Sequence, residues 1–386
     1  MPHNLDQTAF GVAVMSDVRE VLIVGGGVGG MSLAICLRRL GVRVDLIDSD
    51  AQWRAVGAGL SLNGATLEAF RRVGVLERMS KEGHMHSAFA LHLPSGQLLQ
   101  KIQPPHGNEK PTGGGILRPV LHQILADATR AAMTRVRLGV RLNELHREGA
   151  RVRTVCSDGE EGTYDLVVGA DGLHSQVREM IFPNAPKPRF TGQGCWRAVF
   201  PRPPAFDCVA MYMDTHHKAG LNPVSEREMY LFLLETVAPH QRMPEEQWPQ
   251  LLAERLLPFG SPLAELRARL DEGARINYRP LETLLLQSPW YQGNVLLIGD
   301  AAHATTPHAA YGCGLAVEDA VVLAELVEQG FAISQLLQTF MERRFERCRV
   351  VVEGSVKLGD LEMAHAPLAE HQGITAMIGR AIAEPI

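Results

Sequence analysis

The chain has 386 residues, 46% hydrophobic and 21% charged, an ordinary globular composition with length for a large core or for two joined domains. A formal net charge of −5, without a run of basic residues, argues against nucleic acid or a membrane surface as partner. Apolar runs fall far short of the roughly 20 residues of a membrane span.

Met1 to Ser16 lacks the basic start and apolar core of a signal peptide and reads as a short, poorly ordered extension, with Met15 an alternative start. The first strand, Val21-Leu22-Ile23-Val24, runs into a glycine cluster. A helix follows from Gly29 to about Leu40, stopped by Gly41, and then a strand from Val42 to Ile47, one βαβ unit. Residues 65–80 read as a single amphipathic helix, and His84 to Gln103 as alternating strands. A helix starts near Pro119, and strands recur at Val136–Val140, Arg151–Cys156 and Leu166–Val168. From Phe190 to Leu234 the text is β-like, followed by helices near 245–257 and 262–270. A strand at Val295–Ile298 and a long helix from about Leu315 return to the parallel α/β style. Cysteines 36, 156, 195, 208, 313 and 348 form no CxxC pair or zinc-ligand spacing. They read as reduced thiols in a cytoplasmic protein without a metal site.

Gly25-Gly26-Gly27-Val28-Gly29-Gly30 satisfies GxGxxG at Gly25, Gly27 and Gly30, between a strand and a helix. The three glycines serve a tight turn, close approach of a pyrophosphate and helix–strand packing, with the phosphates at the helix N-terminus. Asp48, about twenty residues on, is placed for the adenosine ribose. The fingerprint by itself does not separate FAD from NAD.

Two later strand–loop–helix passages make that choice: Asp165-Leu166-Val167-Val168-Gly169-Ala170-Asp171-Gly172, continuing to Arg178, and Gly293 to His303 through Gly299-Asp300, continuing to Gly312, Gly314, Glu318 and Asp319. With them the chain resembles the group A flavoprotein aromatic hydroxylases, the family of p-hydroxybenzoate, salicylate and 6-hydroxynicotinate monooxygenases. Arg118 with Leu121 and Leu125 resembles the family's RxxLxxxL helix. The resemblance spans about 21 to 325 and is weak across 180–290. It implies bound FAD, with Asp300 at the ribityl chain, Gly312–Leu315 at the pyrimidine edge, Arg118 at the FAD, and Asp171 and Arg178 serving FAD and transient docking of NADH or NADPH. Asp48 stands where Glu is usual. Tyr311, Cys313 and Gly314 also depart from the family's loop pattern.

The fold expected is α/β. A Rossmann-like FAD-binding domain (17–83, 104–180 and 291–360) carries an inserted, mostly antiparallel β-sheet substrate domain (84–103 and 181–290) and a C-terminal helical segment (361–386). That last segment packs on the flavin domain or forms a dimer contact, so the chain is expected to be a monomer or homodimer. The resemblance implies that NAD(P)H reduces FAD, that O₂ adds to give a C4a-hydroperoxide, and that a small aromatic or heteroaromatic substrate takes the distal oxygen. Arg197 is the candidate for a substrate carboxylate or phenolate. Tyr212, His216, His217 and Tyr230 are candidates for proton transfer, and His308 lies beside the flavin loop. Each has a plainer structural reading as core or polar loop. Alternatives are a flavin dehydrogenase or reductase, and an epoxidase or Baeyer–Villiger oxygenase. A halogenase is disfavoured because Trp196-Arg197-Ala198 does not resemble the WxWxIP signature.

Overall fold

The computed structural model describes residues 17–55, 57–103, 111–214, 217–239, 241, 243–271 and 274–386. The N-terminal extension and His216 lie outside the described residues. The fully buried run Val21–Ile23 makes β1 (Glu20–Val24), which leads into α1 (Val28–Arg39) and β2 (Arg43–Asp48). β3 (Gly59–Asn63) precedes α2 (Gly64–Val73) and α3 (Leu76–Glu82). These two helices replace the single one expected over 65–80. Gly74, at φ 81°, donates back to Phe70 and Arg71 and ends α2 in the left-handed conformation that glycine accepts.

β4 (His84–His86), β5 (Phe89–His92), β6 (Leu98–Ile102) and β7 (Gly113–Leu117) come next, then α4 (Arg118–Ala131) with Pro119 in its first turn. β8 (Arg135–Leu138) is followed by β9 (Leu142–Glu148), β10 (Arg151–Cys156) and β11 (Glu161–Tyr164), a meander of which the sequence reading held only the middle strand. β12 (Leu166–Gly169) and α5 (Gln176–Ile181) lead to β13 (Arg189–Pro201), β14 (Val209–Met213), β15 (His217–Pro223) and β16 (Glu228–Thr236). After α6 (Trp248–Arg255) and α7 (Leu263–Arg267) come β17 (Ile276–Thr283), β18 (Tyr291–Gln292) and β19 (Val295–Leu297). The chain closes with α8 (Asp300–His303), α9 (Gly312–Glu328), α10 (Ile333–Met363) and α11 (Leu368–Ala383).

The first sheet runs β18-β19-β12-β1-β2-β8, parallel except for β18. Chain order reverses between β1 and β12, the place where open α/β sheets bind ligands beyond their carboxyl ends. The second sheet runs β17-β13-β16-β15-β14-β5-β6 and is antiparallel apart from the β14–β5 pair. Its far face carries Trp196, Tyr212, Leu231 and Leu233 into a core closed by Leu252, Leu256, Leu263 and Leu266 of the α6–α7 region. β3, β7 and β4 form a separate three-stranded sheet in that order. The segment from 361 onward is helical: α10 runs through to Met363, and α11 folds back so that Ile378 packs on Gly354 of α10. Among the described residues, no helix is long and apolar enough to cross a membrane.

Candidate active site

A cleft of about 1120 Å³ lies between the carboxyl ends of β1 and β12 and the near face of the seven-stranded sheet. At the phosphate loop it shares Gly27, Val28, Leu60 and Arg118 with a second recess of about 230 Å³ lined by Asp48, Trp53 and His122. The fingerprint glycines differ in what surrounds them. Gly25 has φ 109°, and a Cβ on Gly30 would lie 2.0 Å from the Gly25 carbonyl oxygen. A Cβ on Gly27 would meet nothing within 4 Å, so the turn borders open space there. Asp48 accepts from the Gly26 N–H at 2.7 Å and keeps its place on the recess wall. The indole of Trp53 donates to the Gly26 carbonyl at 2.9 Å and braces the loop from behind.

The opposite end is built by α8 and α9. Asp300, in the first turn of α8, faces the cleft, and its carboxylate has no hydrogen-bond partner among the described residues. The surrounding cleft walls crowd out water and push its carboxyl above the ordinary value, against the pull of His303 and Arg118, although the residue is open to the cleft. Arg118 also lines the cleft without an ion-pair partner among the described residues. Desolvation within the cleft and the like charge of Arg197 hold its guanidinium below its usual value, although the residue is open to the cleft. Gly299, Gly312 and Cys313 line the cleft at the start of the two helices, and burial pushes the Cys313 thiol up to about 12. An elongated two-part cavity, a phosphate-accepting turn, an unpartnered carboxylate and a helix N-terminus together fit a flavin dinucleotide.

Other expected cofactor residues stand elsewhere. Asp171 turns its carboxylate away from the cleft and caps α5, accepting from Ser175 Oγ at 2.5 Å and from the N–H groups of Gln176 at 2.8 Å and Val177 at 3.1 Å. Its neighbours Ala170 and Gly172 line the cleft instead. Arg178 is buried and donates to the carbonyls of Leu173 at 2.8 Å and Ala301 at 2.9 Å, so it ties two loops together rather than offering a docking charge. Gly314 leaves room for Tyr311 and Thr66, at 2.4 and 2.5 Å from where its Cβ would be. Leu315 is fully buried and gives its carbonyl to Arg344 at 3.2 Å. Tyr311 lines the cleft and turns its buried hydroxyl to Glu318.

The substrate-side candidates divide by strand periodicity. Arg197 on β13 and Tyr230 on β16 line the cleft. Tyr212 does not: its neighbours Met211 and Met213 face the cleft, and strand alternation sends Tyr212 into the far core, where it stacks on His92 at 4.7 Å. His217 is also set aside from the cleft, in the turn with Asp214, whose Oδ1 accepts from its N–H at 2.6 Å. Lys218 takes the cleft position. Tyr230 shares a hydrogen bond with Ser61 at 2.7 Å, Asn222 Nδ2 donates to Ser61 at 2.8 Å, and the Asn222 carbonyl meets His86 Nε2 at 3.2 Å. Asn222 offers only an acceptor there, so His86 Nε2 carries the proton. Burial pushes the Tyr230 hydroxyl up and the His86 imidazole down. His308 lines the cleft but is almost wholly enclosed. Its Nδ1 is 2.9 Å from Thr306 Oγ1, and its Nε2 is 3.2 Å from Glu362 Oε2. The other carboxylate oxygen of Glu362 receives Lys218 Nζ at 2.7 Å.

Ser61, Asn222, Lys218 and Glu362 were missed in the sequence. None belongs to a local motif, and 144 positions separate Lys218 from Glu362. His303, Asp319 and Cys348 cluster within 4.8 Å, but the Arg344 guanidinium already donates to Asp319 at 2.7 Å and supplies the positive charge there.

Residues 19–355 match the model of the family described as FAD binding domain. The chain belongs to that family. It is an FAD-dependent monooxygenase, with the cofactor-bearing sheet and cleft described above. It is 31% identical over 309 residues to the 2-heptyl-3-hydroxy-4(1H)-quinolone synthase of Pseudomonas aeruginosa (79% of this chain, 80% of that protein). It is 27% identical over 332 residues to the 6-hydroxynicotinate 3-monooxygenase of Bordetella bronchiseptica (80% of this chain, 83% of that protein). The fold matches that of Klebsiella pneumoniae HpxO complexed with FAD and uric acid at a TM-score of 0.83 and 22% identity, over 97% of this chain and 95% of that one.

Proposed function

We propose that this monooxygenase hydroxylates an aromatic or heteroaromatic substrate held between the FAD site and the near face of the seven-stranded sheet. Bound FAD supplies the redox and oxygen-transfer chemistry, with O₂ as oxidant and NADH or NADPH as the electron donor typical of the family. One observation carries the reading. Arg197, a guanidinium with no hydrogen bond or ion pair among the described residues, projects into the cleft that holds Asp300, Arg118 and the N-terminus of α9.

Arg197 binds the carboxylate or ring oxyanion of the substrate, since a guanidinium recognises either with paired N–H donors. Tyr230 holds or passes the proton of a ring hydroxyl, oriented by Ser61, Asn222 and His86. Gly25, Gly27, Gly30 and Asp48 hold the adenosine and pyrophosphate. Asp300 holds the ribityl hydroxyls, and Gly312 with Arg118 holds the ring system. His308 acts through Glu362 and Thr306 as a support of the loop. The quinolone synthase is named for an oxygen-bearing heteroaromatic product and the 6-hydroxynicotinate monooxygenase for such a substrate, which favours a substrate of that kind. Six free cysteines support a cytoplasmic setting.

The test is NADH and NADPH oxidation by the yellow, FAD-loaded protein across a panel of hydroxylated benzoates and pyridines. A compound that stimulates oxidation and gains one oxygen atom is the expected result. Stimulated oxidation with no oxygenated product from any compound sinks the hydroxylase reading.

A further inference from the structure

The near face of the seven-stranded sheet has two chemically different ends. Register places Asn277, Arg197, Phe232, Gly220, Met211 and Leu91 in one row across β17, β13, β16, β15, β14 and β5. A second row runs Arg279, Cys195, Leu234, Lys218 and Met213. At the β17–β13 end stand Arg197 and Arg279, neither with a hydrogen bond or ion pair among the described residues. On β14 and β5 themselves every cleft-lining side chain is apolar: Val209, Met211, Met213, Phe89 and Leu91. The ammonium of Lys218, between the ends, is drawn aside by Glu362 at 2.7 Å.

The apolar end is not core. On the far face Trp196, Leu231 and Leu233 are sealed beneath the α6–α7 region. On the near face Phe89, Leu91 and Val209 are only half-buried, and Met213 is 41% exposed. Apolar surface left open inside a cleft gains free energy only when an apolar ligand covers it, and methionine adapts to the shape of what covers it. From Arg197 to Leu91 is four strand spacings, about 19 Å at roughly 4.8 Å each. A single ring bound at Arg197 covers little more than one of them.

We propose that the substrate is amphipathic: an aromatic head with an acidic or oxyanionic group at Arg197, and an extended alkyl or similar apolar substituent lying along Phe232, Met211 and Leu91. This rests on the hydroxylase reading and narrows its substrate class.

The experiment uses the FAD-loaded protein and hydroxypyridine and hydroxyquinoline scaffolds carrying unbranched alkyl chains from methyl to hexyl. Dissociation constants come from the flavin absorbance change, and product is followed separately by mass. Each added methylene is expected to tighten binding by about threefold to fourfold, and kcat/KM to rise in parallel. Leu91→Asp, which sets a carboxylate at the apolar end, should abolish that dependence. Met211→Leu should keep it, and retained FAD content reports that both variants fold. Binding indifferent to chain length, or weakened by it, overturns the proposal even where short compounds are hydroxylated. Binding that tightens with chain length but gives no oxygenated product supports the amphipathic cleft and counts against the hydroxylase reading, so the two failures are distinct.

Discussion

Arg344 Nε lies 2.7 Å from Asp319 Oδ1, with both side chains fully buried. The other oxygen of the same carboxylate receives the Gly299 N–H at 2.9 Å and meets His303 Nε2 at 2.6 Å. Arg344 also reaches Glu318 at 2.8 Å and the Leu315 carbonyl at 3.2 Å. α10 is thereby locked to α9 and to the Gly299–Asp300 turn that faces the cleft. Arg347 extends the lock by donating to Glu318 at 2.6 Å and to the Ile382 carbonyl at 3.0 Å, so the end of α11 is fixed to the same cluster.

Replacing Arg344 by Met removes the guanidinium that pairs with the buried Asp319 and one of the two that pair with Glu318. Removing one partner of a buried ion pair costs about 3–5 kcal/mol, so Arg344→Met should lower the urea midpoint sharply and release FAD. An unchanged midpoint would show that the cluster does not support the fold.

Asp300→Ala tests the cofactor assignment with little structural cost, because the Asp300 carboxylate has no partner among the described residues. Lost hydrogen bonds to a charged group cost about 1.5–3 kcal/mol, so the FAD dissociation constant should rise by about tenfold to a hundredfold. Flavin fluorescence titration measures it, with the far-UV spectrum of the apoprotein unchanged. Parent-like affinity would remove Asp300 from the site.

Arg197→Gln should raise KM for an acidic substrate by about tenfold to a hundredfold, on the same scale for charge-assisted bonds. Arg197→Lys should recover only part of the loss, because an ammonium lacks the planar fork. NAD(P)H oxidation in the absence of substrate should persist. Tyr212→Phe serves as the contrast: its ring faces the far core, so kcat/KM should stay within about twofold. A large loss in that variant would contradict the strand register.

The stability of the Lys218–Glu362–His308 contact depends on pH in a defined direction. His308 and Lys218 hold the Glu362 carboxyl at about 2 against an ordinary 4.5, overcoming the upward push of burial. A folded-state value below the unfolded one stabilises the protein fully above pH 4.5, and the gain is lost as pH falls towards 2. A depression of this size is worth on the order of 3 kcal/mol. Unfolding of the parent and of Glu362→Gln should therefore differ most near neutral pH and converge on acidification. A constant gap would show that Glu362 is not ionised in the folded protein.

Much of the nucleotide side was legible because its determinants are local. Gly25, Gly27 and Gly30 lie in a turn of a few residues, β1 and β12 carry the apolar runs Val21–Val24 and Leu166–Val168, and Asp300 follows a strand and its glycine. The break between α2 and α3 was equally local, in Gly74, yet continuous amphipathic spacing hid it. Asp171 and Arg178 show the limit of a motif. The strand–loop–helix passage forms, but their side chains satisfy a helix cap and two carbonyls.

The substrate side followed another rule. In a strand the side-chain period is two, so one position decides whether a residue meets ligand or core. Tyr212 and His217 were chosen for their chemistry, while Met211, Met213 and Lys218 hold the cleft positions beside them. The sequence by itself determined a parallel α/β nucleotide fold, because turns, glycines and strand hydrophobicity are set by neighbours along the chain. Only the tertiary structure decided which sheet face lines the cleft and that Lys218, Glu362 and His308 meet there, because those contacts form when distant elements pack and leave no periodic trace in the chain.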